Sequence, residues 1–129
     1  MEKFLFIIRE DLNKLKQWNE EQRFNAILEM DKWVKSLVEK GNYLSGDALR
    51  IAGSYVSKNQ VLSDGPFIEA KEGISGIIVM EAADMRDAVS LAQTCTFVKS
   101  GDMAIEVRPM MELKDIREFG DEGRTTSSR

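Results

Sequence analysis

The residues of this chain that could do chemistry are its carboxylates and cations, because the sequence contains no histidine and a single cysteine. Histidine is the commonest general base at neutral pH and the commonest metal ligand, so acid–base work would fall to aspartate or glutamate. No cluster of residues has the spacing of a zinc site. Cys95 lies in an apolar helical pattern, which favours a small core residue over a nucleophile. We therefore expect neither a metal nor another cofactor.

The stretch SDGPFIEAKE, residues 63–72, places charges around a rigid turn. Pro66 fixes its own φ and restricts the glycine before it. Asp64 can accept hydrogen bonds from backbone N–H groups further along, as in an Asx-type turn. One interpretation is a turn that only redirects the chain. The other makes Asp64 a catalytic pocket carboxylate that binds a polar substrate or acts as its acid or base.

Lys71 and Glu72 continue this segment as a run of alternating charge. Such a run is usually a solvated loop. If the segment folds over the mouth of a cavity, however, Lys71 and Glu72 become ligand-binding residues that pair with a ligand or gate its entry. Both interpretations remain open at this stage.

Arg9, Glu106 and Arg108 form a third group, and all three are predicted to lie on strands rather than loops. Alternation along the last strand puts Ile105 and Val107 on one face and Glu106 and Arg108 on the other. Charges on a covered face are costly unless they are paired. The group is therefore either an ion pair that fixes a dimer or an arginine clamp that binds an anionic ligand, with Glu106 orienting the arginine.

The elements that must position these residues follow from hydrophobic periodicity and capping signals. The first strand is apolar on both faces and therefore central in a sheet. Asn19 and Gln22 form a capping box that opens the first long helix, Gly41 ends it, and Asp84 caps a second helix. The predicted strands span residues 3–9, 50–57, 60–63, 76–82 and 103–109, with an extended stretch at 43–49.

This order predicts an α+β fold with a ferredoxin-like βαββαβ arrangement and an extra hairpin. Both helices cover one face of the sheet, which leaves the other face bare although its central strands are apolar. We expect a homodimer that packs sheet against sheet with a cavity between the two copies. Glu106 and Arg108 would face that cavity.

Length and charge narrow the class of partner. A chain of 129 residues suggests one domain, expected over residues 1–112, with a polar tail at 113–129 that is disordered from about 120. The net charge of −4 argues against nucleic acid and anionic membranes as partners. The apolar run Phe4–Ile8 is too short for a signal peptide or a membrane span, so we expect a cytoplasmic protein.

SDGPFIEAKE closely resembles the signature of the DGPF (DGPFAETKE) branch of the YCII-related family. The chain reads FIEAKE where that family typically reads FAETKE, and it keeps the charges of Glu69, Lys71 and Glu72. The resemblance covers residues 3–111. Further matching segments are the strand ending at Arg9, the helix with Trp33, Gly41 with the stretch Leu44–Leu49, and the strand Ile105–Pro109.

The resemblance implies a dimeric α/β-barrel and a bacterial cytoplasmic origin. Related YCII members are suspected enzymes because a histidine and an aspartate line a cleft. This chain cannot reproduce the pair without a histidine, although Asp64 keeps the acidic member. Some members of the branch occur beside, or fused to, extracytoplasmic-function sigma factors.

Two function classes remain open on the sequence. The first is a cofactor-independent enzyme of isomerase, lyase or oxygenase type that acts on a small organic ligand, which is an anion if the arginines bind it. In it Asp64 is the acid or base, and Arg108 or Arg9 stabilises negative charge. The second is a ligand-binding or interaction module without chemistry, associated with sigma-factor signalling. The missing histidine favours the second class slightly.

Overall fold

A four-stranded antiparallel sheet with helices on one face forms the body of the molecule. The computed structural model describes residues 1–50, 52–63 and 72–117. The elements in chain order are β1 (Glu2–Asp11), α1 (Leu12–Gln17), α2 (Glu20–Glu39), β2 (Tyr43–Ala48), β3 (Ser54–Val56), β4 (Val61–Ser63), β5 (Glu72–Ala82), α3 (Met85–Gln93), α4 (Thr96–Ser100) and β6 (Met103–Pro109). Residues 113–117, at the start of the predicted tail, are helical.

The sheet has the strand order β2-β5-β1-β6, and every neighbouring pair is antiparallel. This mixed α and β arrangement is compatible with the predicted ferredoxin-like fold. The extra hairpin is a separate two-stranded sheet of β3 and β4. Its first strand covers only Ser54–Val56, shorter than the predicted 50–57, because the backbone pairing with β4 runs only from Ser54 to Val56.

Strands β1 and β5 are both longer than their apolar runs predict. The ladder between them continues past Arg9 to the pair Asp11–Glu72, so β1 ends at Asp11 and β5 begins at Glu72. A bulge after Ile8 shifts the register within this ladder. The extension has a functional consequence, because it places Glu10 inside a strand rather than in the polar connection that follows.

Helix α2 begins as the sequence predicts. The Asn19 side chain accepts a hydrogen bond from the backbone N–H of Gln22 at 2.8 Å, and the Gln22 side chain accepts one from the backbone N–H of Asn19 at 2.9 Å. This reciprocal capping box satisfies two N–H groups that the helix leaves unpaired. The helix gives way after Lys40 to Gly41, whose φ of 79° is a conformation that favours glycine.

The helical faces differ in part from the predicted stripes. Trp33 stacks on Phe6, with ring centroids 6.3 Å apart, and its Nε1 donates to Thr94 at 2.9 Å. These contacts turn α2 so that Trp33 and Leu37 are buried. Helical periodicity in the sequence predicts an apolar stripe that includes Ile27 and Val38, but both are exposed. The second helix stops at Thr94, and Cys95 caps the short helix α4 while remaining fully buried.

The two faces of β1 have different environments. Phe4, Phe6, Ile8 and Glu10 are buried beneath the helices, whereas the residues between them, Leu5, Ile7 and Arg9, are half-buried on the opposite face. That opposite face is called here the bare face. Ile105 and Val107 of β6 pack against the helical core, as predicted, and leave Glu106 on the bare face.

We predict that Asn19→Ala lowers the free energy of unfolding by about 1 kcal/mol, because the backbone N–H of Gln22 loses the Asn19 oxygen that accepts its hydrogen bond. Urea denaturation monitored by circular dichroism measures the change. Asn25→Ala is the matched control, since Asn25 is exposed within the same helix and alanine is the better helix former there. The control should be neutral or stabilising, and an equal loss in both variants would contradict the role of the cap.

Candidate functional site

A cavity of about 500 Å³ lies between α2 and the face of the sheet that the helices cover. Its volume is within the range of small-molecule sites in proteins. Helix α2 contributes Met30 and Val34, the sheet contributes Ile8 and Ile78, and Trp18 closes one side. The walls are therefore mainly apolar, as expected for a site that removes a ligand from water.

This cavity is not on the face where the sequence predicts one. Arg9, Glu106 and Arg108 lie on the bare face, and none of them lines the cavity under α2. A cavity between two sheets needs a second copy of the chain, so the predicted interfacial cavity stays a prediction.

Glu10 is the exceptional residue of the cavity under α2. Its register opposite Gly73 and Met103 points it toward the helices, and only 8% of the residue is exposed. Within residues 1–50, 52–63 and 72–117 its side chain makes no hydrogen bond or ion pair. Among these described residues, every side-chain oxygen that is inaccessible to solvent has a hydrogen-bond partner, so the unpaired Glu10 oxygens are accessible. The Glu10 oxygens therefore face the open volume of the cavity.

The other charged residues of the lining lie at its exposed edge. Asp31 pairs with Lys35 at 2.9 Å, and the hydrogen bond and charge of Asp31 raise the pKa of Lys35. The Arg23 guanidinium donates to the Leu15 carbonyl at 3.4 Å. Asp47 is exposed and has no partner within the part of the chain that the structure describes. These side chains are exposed to water, whereas the Glu10 residue is buried.

Two aromatic side chains complete the lining. Trp18 packs against Phe97, with centroids 6.4 Å apart, and the hydroxyl of Tyr43 donates to the Gly46 carbonyl at 3.4 Å. A Cβ atom at Gly46 would lie 2.8 Å from the Ile77 carbonyl oxygen, so only glycine fits this point of the lining without a backbone shift.

An ion pair fixes the α1 side of the cavity. Lys14 of α1 pairs with Asp102 in the turn before β6, and the Ser100 hydroxyl donates to the same carboxylate at 2.8 Å. These hydrogen bonds, that from Lys14 first, lower the pKa of Asp102. Because Leu15 follows Lys14 and lines the cavity, this contact positions one wall of the site.

The structure brings the predicted arginine group together. Arg9 donates to one oxygen of Glu106 from Nη2 at 2.8 Å and from Nε at 3.2 Å. Arg108 lies 3.7 Å from the other oxygen, and 67% of its side chain is exposed. Glu106 is therefore paired with Arg9 within one chain, and 67% exposure leaves Arg108 donors for another partner. The predicted roles of this group in fixing a dimer or in binding an anion stay predictions.

Three of the predicted site residues are described incompletely or not at all. Asp64 and Lys71 lie outside the described residues. Glu72 opens β5 opposite Asp11 in the β1 ladder.

The sequence interpretation missed Glu10, although the alternation of Phe4, Phe6 and Ile8 continues to it at the same spacing. Among the described residues no group of histidine, cysteine, aspartate and glutamate side chains could hold a metal ion.

Comparisons with known proteins bear on the fold and on the family. The family model of the YCII-related domain matches residues 3–114. The search of curated proteins finds no match. One solved structure similar to this chain is that of 5-chloro-2-hydroxyhydroquinone dehydrochlorinase from Burkholderia phenoliruptrix AC1100, in complex with 2,5-dihydroxybenzoquinone. It is 17% identical with a TM-score of 0.54, and the match covers 88% of this chain and 97% of that one. At this identity the match supports the fold alone.

No described helix is long and apolar enough to cross a membrane.

We predict that Asp102→Asn destabilises the protein at pH 7 and that this effect disappears in acid. A lowered pKa in the folded state adds stability above the ordinary aspartate pKa of about 3.9, and this stability is lost as the pH falls through the folded-state pKa. Urea denaturation of both proteins between pH 7 and pH 3 measures the difference. The substitution should have less effect when Lys14 is already methionine. A difference that stays constant with pH would contradict the assignment.

Proposed function

This chain belongs to the YCII-related family, and from that premise we propose that it binds a small organic molecule in the cavity under α2. The observation that carries the proposal is the Glu10 carboxylate, which is buried in an apolar cavity without a partner in the described part of the chain. A carboxylate placed among apolar side chains without a protein partner is unfavourable even where its oxygens face open volume, so folding alone does not account for it. Such costs are typical of functional sites.

A ligand of one ring with a polar substituent fits this cavity best. The apolar walls would take the ring, and Glu10 would accept a hydrogen bond from the substituent. The similar dehydrochlorinase structure contains 2,5-dihydroxybenzoquinone, a molecule of that size, which supports the choice of ligand class.

We further propose that the chemistry is cofactor-independent proton transfer, with Glu10 as the acid or base. A carboxylate that faces a bound ligand in an apolar site can take a proton from it and return it to another atom. Glu10 thus has the role that the sequence suggested for Asp64.

The family and structural matches do not support the sigma-factor alternative. Assignment to the DGPF branch rests on residues 63–72.

We also propose that a second copy of the chain covers the bare face. Leu5 opposite Val79 and Ile7 opposite Ile77 form an apolar strip across its two central strands. Such a strip in water favours association. The Arg9–Glu106 pair and the exposed Arg108 flank it, and a two-fold axis would bring these opposite charges of the two copies close together. The result is the dimeric barrel that the sequence predicts.

We predict that Glu10→Gln weakens binding of any ligand of the cavity, and that Glu10→Met raises the free energy of unfolding by about 1 kcal/mol because it removes an unpaired buried charge. A fragment screen by thermal shift measures the first effect, and urea denaturation the second. Glu39→Gln, on the exposed end of α2, is the control and should change neither. Fragments that bind wild type and Glu10→Gln equally would contradict the site, as would a destabilised Glu10→Met.

We predict that the protein sediments as a dimer of 14.6 kDa chains at micromolar concentration and that Ile7→Lys produces a folded monomer. A lysine at the centre of the apolar strip must remain hydrated, which opposes contact between two sheets. Val38→Lys, on the exposed side of α2, is the matched control and should leave the dimer intact. A monomeric wild type at this concentration would overturn the proposed dimer.

A further inference from the structure

We propose that the ligand of the cavity under α2 is a small organic cation, an amine on an apolar or aromatic skeleton, whose ammonium group pairs with Glu10. The inference rests on the proposed function, since it names the ligand class of the same cavity. The choice of a cation follows from the burial of the charged residues that line the cavity.

Glu10 is the buried charge of this cavity. The other charged lining residues that the structure describes are all exposed, namely Arg23, Asp31 and Asp47. A ligand that enters fully therefore meets one negative charge at the inner wall and no protein cation beside it within the described residues. A cation is the ligand class that compensates this charge best, because an ion pair in an apolar site forms with little screening.

The mouth of the cavity is consistent with a cationic ligand. Lys35 neutralises Asp31, and the Arg23 guanidinium is directed to the Leu15 carbonyl. Asp47 has no partner in the described part of the chain. Its charge would attract a cation toward the opening.

The walls suit the skeleton of such a ligand. Trp18 and Tyr43 line the cavity together with aliphatic side chains such as Met30 and Ile78. Aromatic faces attract an ammonium group, and aliphatic walls favour a hydrocarbon frame. A carboxylate or phosphate ligand would instead bring a second negative charge to Glu10.

The experiment compares three probes of nearly the same shape: benzylamine, benzyl alcohol and benzoate. Each is titrated at pH 7 into ¹⁵N-labelled protein, and binding is followed by the amide shifts of Gly46 and Met103 in the cavity wall. We expect benzylamine to bind at least tenfold more tightly than benzyl alcohol and benzoate to bind weakest. Because the three probes share one ring, differences in affinity report on the polar group.

Two variants separate the ligand class from the existence of the site. Glu10→Gln should bring benzylamine to within about threefold of benzyl alcohol, because the amide keeps the hydrogen bond and loses the charge. Glu39→Gln should leave all three affinities unchanged. Benzyl alcohol or benzoate binding at this wall as tightly as benzylamine would overturn the cation but keep the site. If none of the three probes shifts the amide signals of Gly46 and Met103, the site itself is overturned as well. Benzylamine binding that survives Glu10→Gln would overturn the ion pair.

Discussion

The alternation of side chains along β1 is the constraint on which the rest of this structure depends. The strand buries Phe4, Phe6 and Ile8 against the helices. Because side chains alternate with a period of two residues, Glu10 lies on the same side. Shifting the strand by one residue would expose the core, so Glu10 cannot leave the apolar side while the core is intact. Packing thus forces a carboxylate into the cavity under α2, and the cost of that charge is the reason to assign it a function.

The same alternation produces the second functional surface. The residues between the buried ones, Leu5, Ile7 and Arg9, lie on the bare face with the apolar residues of β5. One face of the sheet therefore holds a cavity within a single chain, and the other holds an apolar strip with an ion pair at its edge. The arginines predicted to bind a ligand lie beside the strip, on the opposite side of the sheet from Glu10. Association and ligand binding are thus assigned to different faces.

Local signals in the sequence predicted most of the fold. The capping box of Asn19, the cap at Asp84 and the limits of β6 all rest on neighbouring residues, and the structure has each of them. Features set by distant contacts were predicted less well. The faces of α2 depend on Trp33 stacking on a strand 27 positions earlier, at Phe6. Glu10 was missed because a charged residue after Arg9 is typical of a strand end, and only the ladders to β5 and β6 show that the strand continues.

A crystal structure of the purified protein at high resolution tests the central claim most directly, because it shows what the Glu10 carboxylate contacts. We expect an open cavity between α2 and the sheet, with ordered water or a bound molecule within about 3 Å of the Glu10 oxygens and no protein cation at that distance. A lysine or arginine of the chain paired with Glu10, or side chains that fill the cavity, would instead make Glu10 a structural residue and contradict its assignment to a ligand site.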